Sequence, residues 1–147
     1  MSKTFMEIAL DEANRAFRRG EVPIGAVIVH NNKVIAQDGN RTIELNDPTA
    51  HAEILVIKKA CSLVKSQRIP ECDLYVTLEP CTMCAGAISF ARIRRLYFGA
   101  EDQKGGAIVH GPRFFESASC HHNPEFYSGL CELQSQAVLQ EFFSKKR

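Results

Sequence analysis

His51-Ala52-Glu53 and, thirty residues after the histidine, Cys81 in Pro80-Cys81-Thr82-Met83-Cys84 mark where this 147-residue chain carries recognisable chemistry. Cysteines three apart at a helix start present both sulfurs on one side, close enough to hold one metal ion. The positive end of a helix and its free N–H groups favour thiolate over thiol, the form that zinc binds. An imidazole at the start of a neighbouring helix supplies a third ligand. Glu53, two positions past His51, then approaches the metal without having to bind it. Three protein ligands leave the fourth tetrahedral position for water, whose pKa zinc lowers from about 15.7 towards roughly 7. Glu53 is the acid–base group of such a site, accepting the water's proton and passing it to a ring nitrogen and a departing amine. Work of this kind contributes about 10² to 10⁴ in rate.

Other readings of these residues stand beside that one. Cys-x-x-Cys alone fits a structural zinc knuckle or a redox pair equally well. A knuckle wants four protein ligands, however, and the sequence has neither a second Cys-x-x-Cys nor a spaced histidine pair. A lone His-x-Glu would mean little. The two half-motifs together, each on its own helix start, favour a catalytic zinc with His51, Cys81 and Cys84 as ligands. A non-catalytic zinc domain that binds RNA or a partner protein is the reading from a different class.

Several elements must position these groups. Phe5 to Arg19 reads as an amphipathic helix with Phe5, Ile8, Ala9, Ala13 and Ala16 on one side. Ile24–His30 and Lys33–Gln37 are β-type runs joined by Asn31-Asn32, a hairpin signal. Ala50 to Lys65 is helical, with an apolar face of Ile54, Ile57, Cys61 and Val64, and Asp73 to Leu78 alternates as a strand. Pro80, tolerated in a first helical turn, opens a helix to about Ala91. Arg95 to Gly99 is a further strand, and Leu133 to Lys145 a last helix with Leu133, Ala137, Val138 and Phe142 inward. Glu101 to Gly129, rich in Gly, Pro, His and Ser, carries no assignable pattern. Strands alternating with helices argue for one α/β domain over residues 1–147, a central sheet covered by helices.

Composition limits the function classes. A net charge of +1 excludes a grossly basic protein, so a nucleic-acid partner would have to meet a local patch. No apolar run is long enough to cross a bilayer, and the first residues, Met1 to Glu7, lack a signal peptide's apolar stretch. Both point to a cytoplasmic protein without membrane contact. Cys61, Cys72, Cys120 and Cys131 are scattered and read as small apolar residues, not as a disulfide framework.

The quoted motifs resemble the cytidine and deoxycytidylate deaminase superfamily, and within it the bacterial tRNA-specific adenosine deaminases. The matching segments are residues 21–27, Gly39-Asn40-Arg41, Asp47 to Glu53, Leu74 to Ala87, Phe98-Gly99-Ala100 and the terminal Phe142-Phe143. The resemblance implies a cytidine deaminase-like three-layer α/β/α sandwich with a five-stranded mixed sheet, assembled as a homodimer with one Zn²⁺ per subunit and no organic cofactor. It implies hydrolytic conversion of the wobble adenosine of tRNA to inosine, the anticodon loop being the partner. Asn40 matches the asparagine that hydrogen-bonds the flipped base. The main-chain N–H groups of Ala52 and Cys81 would lie near the reacting oxygen, and Asp47 and Lys104 would border the RNA groove.

The chain departs from that pattern between Ala107 and Leu130, where it carries Gly111-Pro112-Arg113-Phe114-Phe115 and Cys120-His121-His122-Asn123-Pro124. That segment helps shape the pocket mouth in the family, so deamination of free guanine, cytosine or a nucleoside is the alternative. Relatives acting on guanine tend to carry Pro-Cys-Pro-Met-Cys; Thr82 in the corresponding place favours the tRNA reading. His121-His122 reads as a loop pair in preference to a second metal site. Candidate phosphate contacts are Arg92, Arg94 and Arg95, Lys104, Arg113 and Lys145-Lys146-Arg147, with ordinary solvated surface as the plainer account.

Overall fold

Asn31 and Asn32 both adopt left-handed backbone, φ 50° and 62°. This is what a two-residue type I′ turn requires, and it folds β1 (Gly25–His30) back antiparallel onto β2 (Lys33–Gly39). The computed structural model describes residues 2–145. Lys146 and Arg147, counted above in the basic C-terminus, lie outside the described residues. Around the hairpin come α1 (Phe5–Arg18), α2 (Ala52–Val64), β3 (Cys72–Leu78), α3 (Thr82–Ala91), β4 (Arg95–Ala100), β5 (Glu125–Tyr127) and α4 (Glu132–Lys145).

The sheet order is β2-β1-β3-β4-β5. β1 runs antiparallel to both its neighbours, whereas β3, β4 and β5 are mutually parallel. β2, β3 and β4 therefore all end at the same edge of the fold, where ligands of open α/β sheets collect. Alternation decides which layer each strand residue meets. Ala26, Ile28, Leu74, Val76, Leu96 and Phe98 pack with α2 and α3. Val27 and Val29 pack with Met6 and Ala9 of α1, and Tyr75 and Tyr97 lie against that cluster. Helices thus cover both faces, giving the three-layer sandwich with its five-stranded mixed sheet.

Local chemistry fixes the helix ends. Thr4 and Glu7 form a reciprocal capping box at the start of α1, with Thr4 Oγ1 accepting from Glu7 N–H at 3.2 Å and Glu7 Oε1 from Thr4 N–H at 2.7 Å. Lys65 and Arg92 end α2 and α3 in left-handed conformation.

Three expectations need correction. Pro80 stands before α3 and not in its first turn: Cys81 is the N-cap, with extended backbone, and Thr82 is the first helical residue. Val64 is exposed because α2 turns Ala52, Val56, Ile57 and Ala60 inward. Leu133 is 76% exposed and Ala137 is exposed too, while Ser135 and Phe142 form the buried side of α4. The reason is Gly99: a Cβ there would lie 2.7 Å from Ser135 Oγ, so two small residues let α4 settle closely on β4. The segment after β4 contributes a short 3₁₀ turn at Phe114–Glu116 and the edge strand β5, and it buries Ala107, Ile108 and Phe115 beside α3. None of the six cysteines is in a disulfide.

Candidate metal centre and pocket

α2 and α3 begin side by side, and each places a donor at its N-cap. His51 and Cys81 both have extended backbone there, and neither side chain caps its own helix, which leaves both free to turn towards a shared point. Cys84 follows one turn into α3 and is fully buried. His51 Nδ1 lies 3.6 Å from Cys81 Sγ and 3.5 Å from Cys84 Sγ. All three donor atoms lie within 4.8 Å of one another, the only such group of metal-ligating side chains among the described residues. Two sulfurs and an imidazole at this separation suit a tetrahedral ion with one position open.

Protons are distributed unevenly over the three. A hydrogen bond from Cys84, helped by His51, draws the Cys81 thiol down to about 4. The same hydrogen bond, with burial, pushes Cys84 up, and the Cys81 sulfur raises His51. Glu53 lies behind them, 4% exposed, and its Oε1 has no hydrogen-bond partner. Burial raises its carboxyl to about 7, the range in which a group can both take and give a proton at neutral pH. An orphaned buried carboxylate oxygen beside three soft donors fits a site that handles water next to a metal.

Asn40, directly after β2, is 5% exposed. Its Oδ1 accepts from Ala52 N–H at 2.8 Å, supplying the cap that His51 withholds from α2. Its own carbonyl accepts from Arg19 at 3.0 Å. The Ala52 N–H is therefore engaged by Asn40. A pocket of about 970 Å³ opens over this centre, and Asn40, His51, Lys104, Gln136, Gln140 and Phe143 are among its lining residues.

Lys104 thus borders the pocket together with His51 of the donor set. Asp47 is not among the lining residues; its Oδ1 accepts from the N–H and hydroxyl of Thr49 at 2.8 and 2.7 Å. Arg94 and Arg95 lie at the opposite end of β4, about 17 Å from the pocket along a strand of this length. Asp73 holds Arg94 through bonds of 2.9 and 2.8 Å, and Arg95 faces Glu125 at 3.6 Å. Arg92 donates to Ser89 O at 3.0 Å. None of the three arginines lines the pocket. His122 approaches Ile93 O at 2.7 Å, and His121 is exposed, so the histidine pair belongs to the packing of its segment. Sequence reasoning missed Arg19, Glu79 and His110, which hold Asn40 and the 101–104 wall, and Gln136 and Gln140, whose spacing of four on α4 was the available signal.

Fold and donor set together define a deaminase, and the MafB19-like deaminase family matches residues 2–147. A tRNA-specific adenosine deaminase from Agrobacterium fabrum is 63% identical over 97% of this chain and 94% of its own. One from Rickettsia typhi is 47% identical over 97% of both chains. A structure solved in a study of A-to-I editing by tRNA:A34 deaminases at the wobble position superposes with a TM-score of 0.91. It is 64% identical and covers 92% of this chain and 98% of that one. The chain belongs to the tRNA-specific adenosine deaminases.

Proposed function

We propose that this protein hydrolyses the wobble adenosine of a tRNA anticodon to inosine, releasing ammonia, as one catalytic domain over residues 1–147. The observation that carries the reading is the buried Glu53 carboxylate, its Oε1 unpartnered, behind the His51, Cys81 and Cys84 donors, of which His51 lines the pocket. These three would hold one zinc ion, which when bound supplies the Lewis acidity that makes water a nucleophile near neutral pH. Glu53 accepts the proton of the attacking water and delivers it to N1 of the adenine. It then takes the second proton from the oxygen added at C6 and passes it to the amine as the C6–N bond breaks, so one water enters and one ammonia leaves. With its oxygen fixed on Ala52, Asn40 is left with its amide N–H groups to orient the base through an acceptor on the ring. A pocket that takes a single base requires it unstacked, as anticodon loop bases can be.

Two further features belong to this reading. The outer sides of α2 and α3 expose Leu63, Met83 and Phe90, the last by 74%, which supports a homodimer joined through that face. A light-scattering mass of one chain would contradict it. Among the described residues no helix is long and apolar enough to cross a membrane, which accords with a cytoplasmic enzyme acting on tRNA. The deciding experiment compares inosine formation in an anticodon stem-loop with ammonia release from free guanine, cytosine, adenosine and cytidine. Inosine in the stem-loop alone is the expected result. Turnover of a free base alone would replace this substrate with the alternative, and no turnover of any would overturn the enzyme.

A further inference from the structure

The side chain of Glu79 is fully buried at the end of β3, two residues before Cys81, and the catalytic scheme above gives it no task. Its carboxylate gathers five donors from one stretch of chain. Oε1 accepts from Asp102 N–H at 2.9 Å and meets His110 Nδ1 at 2.8 Å. Oε2 accepts from the N–H groups of Ile108, Val109 and His110 at 3.0, 2.9 and 3.2 Å. The flanking backbone reinforces the join: Glu79 N–H donates to Ala100 O at 2.8 Å, and Ala107 N–H to Pro80 O at 2.9 Å.

The loop gathered in this way leaves β4 and forms one wall of the pocket with Glu101, Asp102, Gln103 and Lys104. It turns on Asp102, whose Oδ1 accepts from the N–H groups of Lys104 and Gly105 at 3.1 and 3.0 Å. It comes back past Gly106, where a Cβ would run into the Glu79 carboxyl carbon. On the far side of His110, Nε2 lies 3.5 Å from Glu101, so the imidazole bridges the wall to the same carboxylate.

We infer that Glu79 is a positioning residue for substrate binding: it sets the 101–106 wall at a fixed height over the metal centre by tying that wall to the segment that carries Cys81. The inference rests on the deaminase reading of the pocket. A carboxylate is required because every atom facing it is a donor, and a glutamine in its place turns an NH₂ towards N–H groups that need an acceptor. The wall then loosens while His51, Cys81, Cys84 and Glu53 keep their places on α2 and α3.

The test measures steady-state kinetics on an anticodon stem-loop, zinc content, and hydrogen exchange of residues 101–110 in wild type, Glu79→Gln and His110→Ala. For Glu79→Gln, KM should rise by about tenfold or more with kcat within about threefold, which is the signature of lost binding and not of lost chemistry. Zinc should stay at the wild-type ratio, and exchange should quicken in 101–110 alone. His110→Ala, which removes only the ring's one of the five donors together with its contact to Glu101, should shift KM the same way by less, and serves if Glu79→Gln does not fold. A fall in kcat at unchanged KM, or zinc loss in parallel with activity, would overturn the inference by making Glu79 a support of the metal centre. An inactive wild type would instead refute the substrate reading, so the two failures are distinct.

Discussion

The β2–α2–β3–α3 unit and the stretch from Glu101 to Cys131 both border the same pocket, yet they are built on opposite terms. In the first, every chemical group sits on a regular element or its cap: Asn40 after β2, His51 and Glu53 at the start of α2, Cys81 and Cys84 at the start of α3. Packing of two helices on a sheet fixes these groups. The second has only a 3₁₀ turn and a three-residue edge strand. It holds its shape through long-range polar ties, Glu79 to the 102–110 loop and His122 to Ile93, and through the apolar anchor Phe115. In the proposed reading the reacting groups and Asn40 stand on the first unit and the 101–104 wall on the second, an arrangement in which a loop can change specificity without disturbing catalysis.

That contrast can be broken from either side. The largest effects belong to the first unit. His51→Ala or Cys84→Ala should lose both bound zinc, measured by elemental analysis, and turnover. Glu53→Gln should keep the zinc while turnover falls by at least about 10² to 10⁴. Residual activity within tenfold of wild type would remove Glu53 from the proton path. In the tethered segment, Phe115→Ala should cost about 3–5 kcal/mol in unfolding free energy, as truncation of a buried aromatic does. A loss near zero in a denaturant titration would show the segment to be mere covering.

Smaller effects probe the Asn40 wall. Burial pushes the Asp38 carboxyl up, but hydrogen bonds from Lys59, Arg41 and the Gly39 N–H outweigh it and hold the group below its usual range. A carboxyl depressed in the fold stabilises above its unfolded pKa of about 3.9, and that contribution vanishes as pH falls through the lower, folded value. Asp38→Asn should therefore lower stability at pH 7 by about 1–3 kcal/mol and flatten the acid limb of the stability–pH curve. An unchanged acid limb would locate the acid sensitivity elsewhere. The smallest effect is expected of Lys104→Ala: weaker stem-loop binding with the salt slope reduced by about 1, if its ammonium meets one phosphate.

The same contrast explains what the sequence made legible. The donor set, Glu53 and the helix starts that bear them follow from local spacing, because ligand geometry and capping act within a few residues. The Asn31-Asn32 hairpin and the strand cores are equally local. Glu79 was invisible because all its partners lie more than twenty residues away in a segment without periodicity. Arg94 and Arg95 show the converse: neighbours in sequence form a charge cluster, but they stand at the end of β4 away from the pocket, and Asp73 and Glu125 pair with them. Leu133 looked like core by hydrophobicity alone, and the close approach permitted by Gly99 turned the helix the other way.

The three donors stand at the starts of two separate helices, His51 and Cys81 as N-caps and Cys84 within α3. No short peptide from this chain contains the full set, so an ion held by all three donors would bind the folded state more tightly than the unfolded one. Metal occupancy and folding are then linked equilibria: free metal at a thousand times its dissociation constant would add about 4.1 kcal/mol to stability. The melting temperature of the protein would then rise with the concentration of available metal.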